Sequence, residues 1–298
     1  MHLSQALVTA IMATTTTTTT ALDLRLATFN IRQAAPPSTY EKSWSERCPY
    51  VISTVKSIDP LIIGMQEVLH EQLVDIEEGL GGNWSYIGTG RDDGKQEGEY
   101  NPLWYRSDKF KLVKHVQKWL SDDTPDEPSK YPGAGSERVV VAGVFEEKEG
   151  GRRFLSANTH LDNESEEARV HGVATVLGVL RDLQKEGGGD LPVTLTGDFN
   201  SEPGDGDAYG RMVDDGYLKD LYALADEETR VGPFYETYTG FVPDEIPDVS
   251  QRIDFIWLGP GDKDNEKGWE VKRYEVVDNV VDGVFMSDHR PVVGDVSV

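Results

Sequence analysis

Apolar positions in this chain fall in short runs that end on polar residues. Leu24-Arg25-Leu26-Ala27-Thr28-Phe29 predicts a first strand, and Leu61-Ile62-Ile63-Gly64-Met65 predicts a central strand buried on both faces. Between them, Trp44, Val51 and Val55 recur at helical spacing within 43–57, and Pro60 follows. A second helix is expected over 68–80, closed by Gly81-Gly82. Residues 84–87, 101–106 and 110–120 predict strands, and 138–146 and 153–159 a hairpin around Glu149-Gly150-Gly151. Residues 164–185 predict a long helix, with Val170, Val173, Ala174, Val176, Leu177, Leu180 and Leu183 along one broad face. Strands are expected again at 193–196, 253–258 and 291–298. Strands alternate with helices at first and form hairpins in the middle, which predicts one α/β domain with helices packed outside mixed sheets. The polar loop 121–136 is long enough to suggest a working surface.

Residues 1–21 differ from the rest. They contain no Asp, Glu, Lys or Arg, and a short apolar stretch, 6–13, runs into seven threonines, Thr14 to Thr20. This pattern predicts a secretory signal peptide, and so a secreted protein, against the alternative of a Thr-rich low-complexity leader. Residues 22–298 then form the domain.

The 298 residues include 29 Lys and Arg against 53 Asp and Glu, a formal net charge of −24. Mean hydropathy is −0.47, and 38% of residues are hydrophobic, enough for a core. No apolar run is long enough to span a membrane. The negative balance excludes a protein that coats nucleic acid by charge alone. It is compatible with a local basic cleft, for which Arg32, Arg106, Arg138 and Arg169 are candidates. The single cysteine, Cys48, cannot form an intrachain disulfide. Nothing in Arg47-Cys48-Pro49 activates the thiol, so it reads as a half-buried helix residue. Asp226-Glu227-Glu228, Glu146-Glu147 and the mixed-charge stretch 262–267 read as solvated surface, and Asp92-Asp93-Gly94 as a turn.

The candidate chemistry sits where the strands end. Asn30 follows the first strand, Gln66-Glu67 the second, His160 the hairpin and Asp198-Phe199-Asn200 the run 191–196; Asp254 opens a strand and Ser287-Asp288-His289 precedes the last. Strand ends meeting at one sheet edge are where α/β folds place active sites. Each residue alone could be a turn former, a helix cap or a satisfied histidine. As a set they suit metal-assisted attack of water on a phosphate ester. Glu67 offers the hard carboxylate oxygen that Mg²⁺ prefers, with Asn30 and Asp288 as further candidates. Asp198 and His289 are of the types that activate water, and Asn200 and His160 are neutral donors for developing oxyanion charge.

In this order, Thr28-Phe29-Asn30, Gln66-Glu67, 99–106, Asn158-Thr159-His160-Leu161-Asp162, Gly197-Asp198-Phe199-Asn200, Arg252-Ile253-Asp254 and Ser287-Asp288-His289-Arg290-Pro291 resemble the endonuclease/exonuclease/phosphatase superfamily over 24–298. The resemblance implies a four-layer α/β sandwich with two packed mixed β-sheets and outer helices. It implies a metal cluster of Asn30, Glu67 and Asp288 holding Mg²⁺, with Mn²⁺ or Ca²⁺ as alternatives. His289 resembles the histidine oriented by a carboxylate, here Asp254. Asp198 and Asn200 resemble the pair that positions water and phosphate. His160 resembles the second histidine of the deoxyribonuclease and sphingomyelinase branches, with Glu99 as its carboxylate partner. Arg32 and Arg106 are implied phosphate contacts, and from the aromatic content Trp104, Trp119 and Phe285 are expected to line an apolar pocket. The stretch Val249-Ser250-Gln251-Arg252-Ile253-Asp254 departs from the Pro-Ala-Trp-Cys-Asp-Arg signature of inositol 5-phosphatases, and abasic-site endonucleases carry a tyrosine where His160 stands. The expected activity is Mg²⁺-dependent hydrolysis of a phosphodiester in a nucleic acid, a lipid or a small molecule, by a monomer with no membrane span. The alternatives are a phosphomonoesterase acting on a small metabolite and a non-catalytic binding module on the same fold.

Overall fold

The computed structural model describes residues 21–122, 124–204, 207–242, 251–260 and 268–298. The leader up to residue 20 and the loop 262–267 lie outside the described residues, as do Val249 and Ser250.

In chain order the elements are Asp23–Asn30 (β1), Trp44–Ile58 (α1), Ile62–Gln66 (β2), His70–Leu80 (α2), Trp84–Ile87 (β3), Leu103–Arg106 (β4), Phe110–Trp119 (β5), Val139–Glu147 (β6), Arg153–His160 (β7), Glu166–Glu186 (α3) and Val193–Asp198 (β8). There follow Ala208–Asp215 (α4), Lys219–Asp220 (β9), Leu221–Leu224 (α5), Arg230–Val231 (β10), Asp254–Leu258 (β11), Glu270–Val276 (β12), Val280–Val281 (β13), Val284–Phe285 (β14) and Val292–Ser297 (β15). The ten expected strands and three expected helices are all present. The helix α4 and the strand β12 were not anticipated. The first is eight residues long and is started by the Asp207 carboxylate as N-cap; the second alternates charged with apolar residues on one side of a sheet. No helix among the described residues is long and apolar enough to cross a membrane.

One sheet has the order β10-β12-β15-β1-β2-β4-β3, the other β5-β6-β7-β8-β11-β9. Three apolar clusters define four layers. Leu24, Leu26, Ile62, Val139, Val141, Ile256, Val292 and Val296 pack between the sheets. Val173, Val176, Leu177, Leu180 and Leu183 of α3 cover the second sheet with Leu155, Ala157 and Leu195. Val51 and Val55 of α1, with Leu73 and Ile76 of α2, cover the first sheet over Ala27, Phe29, Ile63 and Met65. Ala174, expected on the apolar face of α3, is exposed instead.

The space between the sheets changes character along the strands. On β1 the inward residues run Leu24, Leu26, Thr28, Asn30, from apolar to polar. Beyond the apolar part, the sheets are joined by side-chain hydrogen bonds. Gln66 Nε2 donates to Thr28 Oγ1 (3.0 Å) and to Asn158 Oδ1 (2.7 Å), and Asn158 Nδ2 donates to the Met65 carbonyl (2.7 Å). Within the second sheet, Thr196 Oγ1 donates to the Ala157 carbonyl (3.0 Å) and Thr194 Oγ1 to Ser156 Oγ (2.8 Å). The sheets approach closely here because β2 carries Gly64, where a Cβ would stand 2.1 Å from Thr196 Oγ1 and 2.4 Å from Asn158 Oδ1.

Cys48 is half-buried in α1, and burial, followed by the nearby Asp75 carboxylate, pushes its thiol up to about 11. The native protein should therefore resist iodoacetamide at pH 8 and react once unfolded; rapid native alkylation would contradict this environment. Gly64→Ala should lower stability by about 1–3 kcal/mol in urea unfolding, because its methyl meets two side chains fixed by hydrogen bonds; an unchanged midpoint would show that the sheets are less closely tied.

Candidate active site

Strand direction brings the polar ends together. β1 and β2 are parallel with Asn30 opposite Gln66, and β7 and β8 are parallel with His160 opposite Asp198. β11 runs antiparallel to β8 and sets Asp254 opposite Asp198. β15 runs antiparallel to β1, so Ser287-Asp288-His289, just ahead of it, lies against the end of β1. Ser287 Oγ donates to the Asn30 carbonyl (2.6 Å) and accepts from the His289 backbone N–H (3.1 Å).

Asp198 lies at the centre. Its Oδ2 accepts from Asn30 Nδ2 (3.0 Å) and its Oδ1 from the Asn200 backbone N–H (3.0 Å). His160 Nε2 and His289 Nε2 lie 3.5 and 3.7 Å from Asp198 Oδ2. His289 Nδ1 and Asp254 Oδ2 are 2.8 Å apart, the charge-assisted pairing that orients an imidazole. Asn200 Nδ2 lies 3.1 Å from His160 Nε2, and His160 Nδ1 lies 4.0 Å from Glu99 Oε2. Asn30 Nδ2 also donates to Glu67 Oε1 (2.9 Å), while its Oδ1 accepts from the Arg32 N–H (3.0 Å). Asn30 thus joins the Glu67 and Asp198 carboxylates through its amide nitrogen.

Three residues of the site, Arg32, Glu67 and Asn200, have positive φ (59°, 60° and 47°). Such backbone costs on the order of 1 kcal/mol for each side-chain-bearing residue, so the surroundings must hold it. Part of the hold comes from Arg47, a fully buried guanidinium that donates to the carbonyls of Ile31 (2.8 Å), Met286 (2.6 Å) and Arg32 (3.1 Å). Gln72 of α2 adds a donor to the Arg32 carbonyl (3.0 Å). On the other side, Thr237 Oγ1 accepts from the backbone N–H groups of Ile253 and Asp254 (3.0 Å each), and Tyr238 packs its ring 5.0 Å from the His289 ring.

These contacts separate the two histidines electrically. Burial disfavours charge on His289, but Asp254, then Asp198 and Asp288, overcome it and raise the imidazole to about 10. Burial, then Arg138 and Arg91, hold His160 well below its ordinary value, so it is neutral. Burial and the neighbouring Asp254 raise Asp198, and burial raises Asp288. Burial and the Glu67 charge likewise raise Glu99. Glu67 is lowered: burial opposes its charge, but His289, the Asn30 hydrogen bond and Arg32 outweigh it.

A hard divalent cation fits this donor set. Glu67, Asp198 and Asp288 all border one cavity, and Asp254 Oδ1 behind it is buried without a hydrogen-bond partner. Ligand atoms of Asp198, Asp254 and His289 lie within 4.8 Å of one another, so this group could also hold an ion. Asp254 and His289 are already committed to each other, and Asp198 to Asn30 and the Asn200 N–H, which favours the oxygen donors of Glu67 and Asp288 for Mg²⁺, Mn²⁺ or Ca²⁺.

Eight of the expected residues border the cavity, of about 460 Å³: Arg32, Glu67, Glu99, His160, Asp198, Asn200, Asp288 and His289. Asn30 and Asp254 stand behind them as hydrogen-bond partners. Two do not reach it. Arg106 pairs with Asp59 and Asp108 (2.8 Å each), because β4 runs antiparallel to β2 and carries its last residue to the opposite edge. Trp119 is buried between the sheets, and its Nε1 donates to the Arg91 carbonyl (2.7 Å), so it supports the wall from behind. Arg169 is engaged with Asp207 (2.8 Å). Arg138 does border the cavity, as do Ser136 at the end of the long loop, Asn163 and Tyr238. Arg91 was missed by the sequence reading. It lies in the turn beside Asp92-Asp93-Gly94, and its signal was the nearby Glu99, which it meets at 2.7 Å.

A family model described as "Endonuclease/Exonuclease/phosphatase family" matches residues 27–289. Among solved structures, an endonuclease/exonuclease/phosphatase family protein from Bacteroides thetaiotaomicron is similar at 34% identity, over 93% of this chain and 98% of that one, with a TM-score of 0.81. A mannosyl-6-phosphatase from the same species is similar at 34% identity, over 92% of this chain and 99% of that one, with a TM-score of 0.80. Nocturnin from Homo sapiens is 26% identical over 225 residues, 72% of this chain and 48% of that protein, so this chain spans about half the length of that curated relative.

Divalent cations should raise the thermal midpoint, corresponding to about 2.7 kcal/mol at a hundred times the dissociation constant. Glu67→Gln should shrink that increment; an equal increment in both proteins would place the ion elsewhere.

Proposed function

The chain belongs to the endonuclease/exonuclease/phosphatase family, and from that premise we propose that it is a divalent-metal-dependent phosphatase acting on the phosphate monoester of a small polar molecule. The observation that carries this reading is the cavity itself. Glu99, Arg91 and Arg138 wall it off beside His160, leaving about 460 Å³, the size of a small-molecule site. A polymer would need a long positive track, and a chain of net charge −24 is poorly suited to provide one. The similarity to a mannosyl-6-phosphatase supports the same choice. For these reasons the monoester replaces the phosphodiester expected from the residue set.

In this reading Asp198, held by Asn30 and the Asn200 N–H, takes the proton of the attacking water. His289 stays protonated beside Asp254 and donates from Nε2 to the phosphoryl group. Asn200 and neutral His160 add hydrogen bonds without net charge, and Arg32 adds a positive one near Glu67. A divalent cation held by Glu67 and Asp288 would neutralise phosphoryl charge as it builds up.

With Mg²⁺, p-nitrophenyl phosphate should be hydrolysed faster than bis-p-nitrophenyl phosphate, and EDTA should stop both. Asp198→Ala and His289→Ala should each lose about 10²–10⁴-fold in kcat. Faster diester cleavage would restore the phosphodiesterase reading, and wild-type rates in either variant would remove the residue from the mechanism.

A further inference from the structure

The wall beyond His160 holds more polar capacity than phosphoryl chemistry uses. Arg138 has only 6% of its side chain exposed, yet its Nε and Nη1 have no hydrogen-bond partner. Its Nη2 donates to Asn163 Oδ1 (2.8 Å), and Asp162 Oδ2 lies 3.6 Å from its Nε, beyond hydrogen-bond reach. Arg91 repeats the pattern: Nη1 is held by Glu99 Oε2 (2.7 Å), and Nε is buried with no hydrogen bond, Asp92 Oδ1 lying 3.7 Å away. Buried donors of this kind are rarely left unsatisfied, so acceptor atoms from a ligand are expected there. The wall is also built firmly. The Asp162 carboxylate accepts from the N–H groups of Gly135 (3.0 Å) and Ser165 (2.9 Å), fixing loop and helix start around Arg138, while Trp119 fixes the Arg91 carbonyl.

Charge decides what those acceptors are. The two guanidinium groups stand beside the carboxylates of Glu99, Asp92 and Asp162, and Glu164 borders the same cavity. A second anion would meet more negative than positive charge. Neutral hydroxyls suit the wall better, because each can accept from a guanidinium and donate to a carboxylate. We propose that Arg91, Glu99, Arg138 and Asn163 form a polyol subsite that reads the hydroxyl groups on the alcohol portion of the substrate. This rests on the monoesterase reading above and narrows its substrate to sugar-like phosphates.

The test compares mannose 6-phosphate with hexyl phosphate, a primary phosphate ester without hydroxyls, using p-nitrophenyl phosphate as the control for chemistry. Wild type should favour mannose 6-phosphate in kcat/KM by at least about tenfold, since a site built to bond hydroxyls rejects an analogue lacking them. Arg91→Gln should lower that ratio severalfold. Asn163→Ala, at an exposed position that touches no group acting on the phosphate, should also lower it if Arg91→Gln disturbs folding. Equal kcat/KM for the two esters in wild type would overturn the subsite while leaving the phosphatase reading intact. An unchanged ratio in both variants, or a tenfold preference for a hexose bisphosphate over mannose 6-phosphate, would overturn it too, the latter in favour of an anion site. Failure to hydrolyse any of the monoesters, p-nitrophenyl phosphate included, would overturn the phosphatase reading and the subsite with it.

Discussion

The site depends on how the two sheets meet at one end of the sandwich. Over most of their contact they share an apolar core, but at the ends of β1, β2, β7 and β8 Asn158 bonds across to Gln66 and to the Met65 carbonyl, with Thr28 and Thr196 holding Gln66 and Asn158 from within each sheet. Inside a protein such groups must find partners, and leaving one unpaired costs about 1–3 kcal/mol. Asn158 alone connects β7 with the Met65 and Pro102 carbonyls and with Gln66. A slip of one residue in any of these strands would break several of the bonds at once and would turn Asn30, His160 or Asp198 away from the gap. The same bonds that join the sheets therefore fix the position of the candidate site residues one step further along.

Beyond that seam, the chain gathers Glu67, Asp198, Asp254 and Asp288 around a single cavity. Burying carboxylates is unfavourable unless they are paired or bound to a cation. The cationic His289, the Asn30 amide and the backbone N–H groups of Gln33 and Asn200 meet part of that demand. A divalent cation would meet the rest, which would tie the folded site to its cofactor. The positive φ values at Arg32, Glu67 and Asn200 have the same origin: each follows a strand end closely and turns the chain sharply enough to keep its side chain in the site.

Much of this was legible in the sequence, because a strand of period two announces both its face and its end. The run Leu24, Leu26, Thr28, Asn30 already contains the change from core to site. The ordered motifs supplied the pairing of His289 with Asp254, which spacing alone could not, since 35 residues separate them. What stayed hidden depends on tertiary direction. Arg106 is adjacent to candidate residues in sequence, but an antiparallel strand carries it to the far edge. Trp119 looked like a pocket aromatic and proved to be a prop for Arg91. Arg91 and Asn163 sit in turns with no periodicity to reveal where their side chains go, and Arg47 contributes through backbone carbonyls that carry no sequence signature.

The central claim is that water, activated at Asp198, attacks phosphorus. Hydrolysis of p-nitrophenyl phosphate in oxygen-18 water tests it most directly, with the released phosphate and p-nitrophenol both examined by mass spectrometry. The account predicts one labelled oxygen in inorganic phosphate and none in the alcohol. Label in the alcohol would mean cleavage of the carbon–oxygen bond, and the arrangement of Asp198, Asn200 and His289 would then need a different explanation.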